Sequence, residues 1–459
     1  MEDVTSARTG RFFFVPVLRP ELLFQVASQG MQPSSLPAVL DSQQAYCDTT
    51  RGHFWCSFLD KICKWAVEIK EGKIVTIVKE EDRHWNSKEG HVVDYGEAVV
   101  MPGLIDMHAH LDDPGRADWE GFPSGTKAAA AGGITTLVDM PLNNFPSTMS
   151  QETLKLKIEA AKERIYVDVG FWGGLVPENA FNSSSLEGLL NAGALGLKSF
   201  MCPSGINDFP MTNINHIKEG LSVLAKYRRP LLVHAELQQD SESHLEIKEG
   251  SDDPRLYSTY LKTRPPSWEE AAIKELVTVT KDTRNGGPAE GAHLHIVHLS
   301  DSSSSLDLIK EGHIDVLSSD HSPTLPELKL LDDGNFLKAW GGISSLQFIL
   351  PVTWSYGQKY GVTLEQLALW WSERPAKLAG LELKGAIAVG NHADIAIWEP
   401  EVEFDLNDGY TVYLKHPSIS AYMGSKLSGR TLATFVRGNL VYKKEEHAPA
   451  ACGVPILAR

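Results

Sequence analysis

From Val99 onward, short apolar runs alternate with stretches of helical character, the pattern of parallel βα units. Seven runs predict strands: GLIDMHAH (103–110), ITTLVDMP (134–141), VDVGFWGGL (167–175), ALGLKSFM (194–201), PLLVHAE (230–236), HLHIVHLS (293–300) and IDVLSSDHS (314–322). Between them a helix is expected from Ser150 to Ile165 and another over SSSSLDLIKEG (302–312). Ser267 with Glu270, and Thr363 with Gln366, have the spacing of capping boxes that open two more. Upstream, AVEIKEGKIVTIVKE starts at Ala66 and alternates apolar and polar residues around a turn at Glu71-Gly72, which predicts a β-hairpin. After Gly380, KGAIAVGNHADIAIWEP and ATFVRGNLVY return to the same alternation.

The predicted fold class is α/β, a TIM-like (β/α) barrel with a small β-sandwich domain built from both chain ends. Residues 1–64 have no clear periodicity and read as an atypical, poorly ordered segment. Residues 65–100 and 381–459 form the β domain, and residues 101–380 the barrel. Only seven barrel strands are found, where the design has eight. His298 and Asp320 stand 22 positions apart, which leaves room for one helix and no strand. One crossover between parallel strands already takes a dozen or more residues. The barrel is therefore expected to be distorted, either closing on seven strands with shifted side chains or staying partly open.

A chain of 459 residues accommodates a barrel of roughly 250–300 residues and a satellite. Apolar content of 42% with charged content of 22% is ordinary for a soluble enzyme. A net charge of −16 argues against nucleic acid as a partner. No apolar run approaches the roughly 20 residues of a transmembrane helix. FFFVPVL (Phe12 to Leu18) follows Arg8 and Arg11, but Pro16, Arg19 and Glu21 make it a poor secretory signal, so this N-terminus reads as cytoplasmic. The five cysteines (Cys47, Cys56, Cys63, Cys202, Cys452) include no Cys-x-x-Cys pair and fit a reducing compartment.

Candidate chemistry gathers at the C-terminal ends of the predicted strands, the edge where barrel enzymes keep their active sites. In MPGLIDMHAHLDDPGR, His108 and His110 are one residue apart, so both imidazoles project to one face and reach one metal ion. Lys198, His234, His298 and Asp320 end four further strands. Taken alone, His234 fits a satisfied core histidine equally well. His298 is a better ligand candidate than His293 or His295, which share the opposite face. Imidazoles with a carboxylate suit zinc, with manganese, cobalt or iron as alternatives. A buried Lys198 favours the neutral amine, which can add carbon dioxide to become a carbamate able to bridge two metals; otherwise its ammonium snorkels to the strand end. Asp320 can bind metal and also accept a proton from water.

The ordered set GLIDMHAH, GLKSF, VHAE, VHLS and SSDHSP resembles the cyclic-amidohydrolase branch of the amidohydrolase superfamily. The wider wording HLDDPGR, EGFPSGTKAAAAGGITTLVDMPLN, GLKSFMCPSGINDFPMTN, KAWGGISSLQF and RPAKLAG is most similar to the plant allantoinase family, from about Ala66 to the C-terminus. The resemblance implies hydrolysis of the cyclic amide of allantoin to allantoate by two zinc ions. It implies that His108, His110 and Asp320 hold one ion, His234 and His298 the other, that carbamylated Lys198 bridges, and that Asp320 is the catalytic proton shuttle. Ser204, Asn207, Gly341 and Gly342 would face substrate. A homo-oligomer, a tetramer by likeness, and the endoplasmic reticulum are implied in the same way. Dihydroorotase-like chains place an arginine after His-x-His-Leu, where this chain has Asp112. The family's eight-stranded barrel carries on the order of 50 residues that are missing after Lys310, so activity is expected to be impaired. A hydantoinase or dihydropyrimidinase, and a non-catalytic isoform, are the alternative readings.

Overall fold

The computed structural model describes residues 62–79, 93–238, 252–300, 314–407 and 409–458, with the backbone of two short strands, β1 (Phe24–Ala27) and β2 (Gly52–Trp55). The predicted helix at 302–312, the run Phe12 to Leu18, and Cys47 and Cys56 lie outside the described residues.

Chain order begins with the hairpin β3 (Ile62–Lys70) and β4 (Lys73–Lys79), then β5 (Val99–Pro102). Glu71 and Gly72 both have positive φ, as a two-residue hairpin turn requires. All seven predicted barrel strands follow: β6 (Leu104–Ala109), β7 (Ile134–Asp139), the interrupted pair β8 (Asp168–Phe171) and β9 (Gly173–Gly174), β10 (Leu197–Phe200), β11 (Pro230–His234), β12 (His293–Ile296) and β13 (Ile314–Leu317). They pair in parallel from β6 through β8 and from β9 through β12. Each is buried on both faces, which is why they read as apolar runs rather than as alternation.

The slot next to β12 holds something the sequence did not announce. β12 does not pair with β13; β1 lies between them, antiparallel to both, with Val26 opposite Ile296 on one side and Ile314 on the other. At the far edge β13 meets β6 just beyond the strand ends, where His321 bridges Ala109 and its carbonyl accepts the His110 N–H at 2.7 Å.

Helices cover the outside of the strands. Gln151–Ala161 starts at the Ser150 cap, which accepts from the Thr153 N–H, and ends short of Ile165. Thr363 and Gln366 form the expected capping box on Leu364–Ala368. The expectation for Ser267 is corrected: helix Pro266–Val279 has its N-cap two residues earlier, at Pro265, with no side-chain cap. Pro266 in the first turn supplies a preset φ and needs no N–H partner there.

Beyond the barrel come β14 (Ile395–Asp405), β15 (Lys426–Val436), β16 (Asn439–Lys443), β17 (Glu446–His447) and β18 (Pro455–Ile456). A five-stranded sheet runs β17-β16-β15-β14-β5, and a three-stranded one β2-β3-β4. Val67, Ile74, Ala98, Val100, Ile395, Ile397 and Ala433 share one apolar cluster, so residues from both chain regions pack together. β18 pairs with β8. Beside it, buried Asp168 bonds Lys384 at 2.8 Å and also Arg437, while Lys384 reaches Asp394, tying the β sheets to the start of β8.

Candidate metal centre

The site is assembled where β6 and β13 end side by side. Asp106 Oδ1 accepts the N–H groups of His108 and of Ser319, each at 3.1 Å, and the Ser319 hydroxyl bonds Asp106 Oδ2. One buried carboxylate thereby locks the His108 strand end to the residue before Asp320. Asp320 takes a left-handed backbone, φ 43°, which turns its side chain onto the two histidines. Its Oδ1 lies 3.1 Å from His108 Nε2 and 3.7 Å from His110 Nε2. His108, His110 and Asp320 form a group whose ligand atoms lie within 4.8 Å of one another.

Across from them, His298 Nε2 lies 2.8 Å from His234 Nδ1, and the His298 ring stacks near His108 with centroids 6.2 Å apart. His234 Nε2 is 3.0 Å from Glu236 Oε1, and Arg264 Nη1 donates to the other oxygen of Glu236 at 2.8 Å. A proton on Nε2 facing that carboxylate leaves Nδ1 as the lone pair aimed at the site. Cys202, His234 and Glu236 make a second group of ligand atoms within 4.8 Å. Lys198 is fully buried; its Nζ sits 4.4 Å from the Phe200 ring centre and, among the described residues, has no hydrogen-bond partner.

These surroundings set the charge states. Burial, reinforced by Lys198, holds His108 well below its ordinary value and His110 at about 3, and burial with His234 does the same to His298. All three are therefore neutral, the form that binds metal. Burial opposes a charge on His234, but Cys202 and Glu236 outweigh it and raise that imidazole to about 9, so it is protonated near pH 7 and frees the Nδ1 lone pair only by giving up that proton to bind metal. Burial would raise Glu236, yet His234 and Arg264 hold it well below the usual carboxylate range. Burial lowers Lys198 to about 7 against the pull of Asp320, and lifts Asp320 to about 6 against the pull of Lys198. Neutral imidazoles, a carboxylate and an orphaned buried amine in one place are a donor set that fits metal ions.

The structure thus gathers His108, His110, Lys198, His234, His298 and Asp320 at one end of the barrel. In the loop after Lys198 the Ser204 hydroxyl donates to Phe209 O at 2.6 Å, and Asn207 is exposed. Gly341 and Gly342 lie in the loop beside the Asp320 strand end, where the Ser322 N–H reaches Ile343 O at 2.9 Å. Sequence reasoning passed over Asp106, Ser319, Glu236 and the buried pair Glu120–His321. His321 Nδ1 accepts from the Ser345 N–H, and its Nε2 stands 3.1 Å from Glu120. Asp106 and Glu236 were signalled by their spacing, each a carboxylate two positions from a ligand histidine on the same strand face.

Residues 99–441 match the Amidohydrolase family, and residues 59–98 match the composite domain of allantoinase. The chain belongs to the amidohydrolase family. Its relatives place it among the allantoinases: it is 63% identical to Allantoinase of Arabidopsis thaliana, over 87% of this chain and 90% of that protein. Against the probable allantoinase of Oryza sativa subsp. japonica it is 57% identical, over 89% and 91%. Among solved structures, L-hydantoinase (dihydropyrimidinase) from Arthrobacter aurescens superposes with TM-score 0.78 at 25% identity, covering 90% of this chain and 100% of that one. The alignment to the Arabidopsis protein takes 460 positions, more than the 459 residues of the whole chain, yet uses only 87% of it. That relative therefore carries dozens of residues with no counterpart here.

Proposed function

We propose that this chain hydrolyses the ring amide of allantoin to allantoate. The observation that carries the reading is the His108, His110 and Asp320 group, with His234 and His298 facing it, in a chain 63% identical to an allantoinase. His108, His110 and Asp320 would hold one metal ion and His234 and His298 a second, with zinc favoured by the nitrogen-rich set and manganese, cobalt or iron as alternatives. When bound, such ions activate water and polarise a carbonyl. Lys198, which burial lowers to about 7 so that a large share is neutral amine near that pH, is the amine suited to carbamylation, and its carbamate would bridge the pair. Asp320 accepts the proton of the attacking water and passes it to the ring nitrogen as the carbon–nitrogen bond breaks. The Glu236–Arg264 pair orients His234, and Asp106 holds His108 against the Asp320 strand end.

The 22-position spacing between His298 and Asp320, with the unmatched residues of the Arabidopsis relative, supports a missing βα segment after Lys310. An error of about 1 Å in a catalytic arrangement lowers a rate roughly a hundredfold. Turnover is therefore expected to be much reduced while most metal is retained. Metal analysis with an allantoin hydrolysis assay on the purified chain tests both; near-normal turnover overturns the impairment, and absence of bound metal overturns the centre. A hydantoin and dihydrouracil panel separates the hydantoinase alternative. Co-purification with an intact subunit, without turnover of its own, would favour the non-catalytic isoform. A homo-oligomer, a tetramer by family likeness, is tested by light scattering.

A further inference from the structure

Lys329 stands apart from the metal centre, in the segment that follows Asp320. Its Nζ donates to three consecutive backbone carbonyls, Trp340 O at 2.8 Å, Gly341 O at 2.7 Å and Gly342 O at 2.6 Å. An ammonium has three donors and no acceptor, so the three oxygens match its protons one for one; a neutral amine would turn its lone pair on one of them. Burial alone works against the charge and lowers this lysine to about 7. The carbonyl cradle is thus the feature of the site that favours the ammonium.

The clamped turn is fixed from the other side too. Gly342 has φ +85°, and a Cβ there would stand 2.1 Å from Ser322 O, so the turn packs directly on the chain two residues past Asp320. Ile343 bridges His321, Ser345 donates to His321 Nδ1, and the Trp340 ring meets Trp119 edge-on with centroids 5.3 Å apart. In a trans peptide, N–H and C=O point in opposite directions. Three carbonyls turned onto Lys329 therefore turn the N–H groups of Gly341, Gly342 and Ile343 away from it.

We propose that Lys329 is a positioning residue: its ammonium folds Trp340–Gly342 and so fixes Gly341 and Gly342, which the allantoinase likeness turns toward substrate, against the chain that follows Asp320. The specificity part rests on the allantoin reading above; the clamp itself does not. Lys329→Met keeps the length of the side chain and removes all three donors. Hydrogen–deuterium exchange of the full chain reads the clamp: the segment 338–345 of the variant should exchange at least about tenfold faster, with 104–109 unchanged as the folding control. Lys329→Ala, which leaves room for an alkylammonium, should regain protection of that segment in millimolar propylammonium but not in 1-propanol, a neutral molecule with the same number of heavy atoms. With zinc-loaded protein, the KM for allantoin should rise about tenfold in Lys329→Met while kcat moves less, a loss of ground-state binding. Unchanged exchange at 338–345 overturns the clamp. Faster exchange with an unchanged KM overturns the positioning role. A wild type with a protected loop that neither binds nor turns over allantoin sinks the functional reading, and with it the specificity part, while the exchange comparison still decides the clamp.

Discussion

At the scale of single residues, the centre depends on groups that never touch substrate. Asp106 satisfies the N–H groups of His108 and Ser319 and the Ser319 hydroxyl, all buried. Asp106→Ala leaves the two N–H groups without partners and leaves the Ser319 hydroxyl only His108 O, at 3.2 Å, and a buried unsatisfied group costs about 1–3 kcal/mol. We expect a destabilisation of about 3 kcal/mol in chemical denaturation and a lower metal content, because His108 and Asp320 lose their common anchor. Metal retained at the wild-type level would argue that the strand ends hold without it. Lys198→Ala should fold, since it removes a buried amine that has no hydrogen-bond partner among the described residues, yet should lose hydrolysis and part of the bound metal. Mass spectrometry of the native wild type offers a separate check, through the added mass of a carbamate on Lys198.

At the scale of elements, Lys157 shows how a helix positions a strand end. It lies in Gln151–Ala161 and reaches Asp139 at 2.7 Å, Met140 O at 2.6 Å and Asn144 Oδ1 at 2.9 Å, with Asp139 in turn accepting the N–H of Leu111, next to His110. Lys157→Met strands a buried carboxylate, a loss of about 3–5 kcal/mol, read as a lower denaturation midpoint; a shift under 1 kcal/mol would rule the pair out as a structural anchor. The strands and the ligand histidines were legible because buried parallel strands must be apolar and must end in their functional residues. Ser267 misled because a capping-box spacing is local, whereas Pro265 and Pro266 already fix that helix start. Lys329 left no trace in the sequence, since its partners are backbone carbonyls eleven to thirteen residues away. β1 was equally silent: a four-residue strand in a segment without periodicity carries too little pattern to read.

At the scale of the whole molecule, two of the joints between the barrel and the rest of the chain carry testable consequences. The first is the buried group Asp168, Lys384, Asp394 and Arg437. Burial would raise Asp168, but Lys384 and Arg437 hold it below its ordinary value, and Asp394 and Asp168 hold Lys384 above its own against burial. A depressed carboxylate contributes stability above its unfolded value, near 3.9, and loses it as pH falls through the folded one. A raised lysine contributes below its unfolded value, near 10.4, and loses it as pH rises through the folded one. Stability should therefore be level with respect to this group from about pH 5 to pH 9, with Asp168→Asn lowering the plateau and flattening the acid limb. An acid limb of unchanged steepness in that variant would assign the loss to other carboxylates.

The second joint is β1 between β12 and β13, the strands that lead to His298 and Asp320. Without it, β12 and β13 would face one another with unpaired edges. Val26 pairs on both sides, with Ile296 and with Ile314, so a proline there has no solvent-facing edge to hide on. Val26→Pro should lower the thermal midpoint and reduce bound metal together, because the spacing of His298 from Asp320 relaxes when the ladder opens. The matching change Phe54→Pro falls in β2, an edge strand of a different sheet, and should leave the metal content unchanged. If Val26→Pro binds metal and melts as the wild type does, β1 does not set that span. The barrel would then have to draw its two flanking strands together by some contact other than this one.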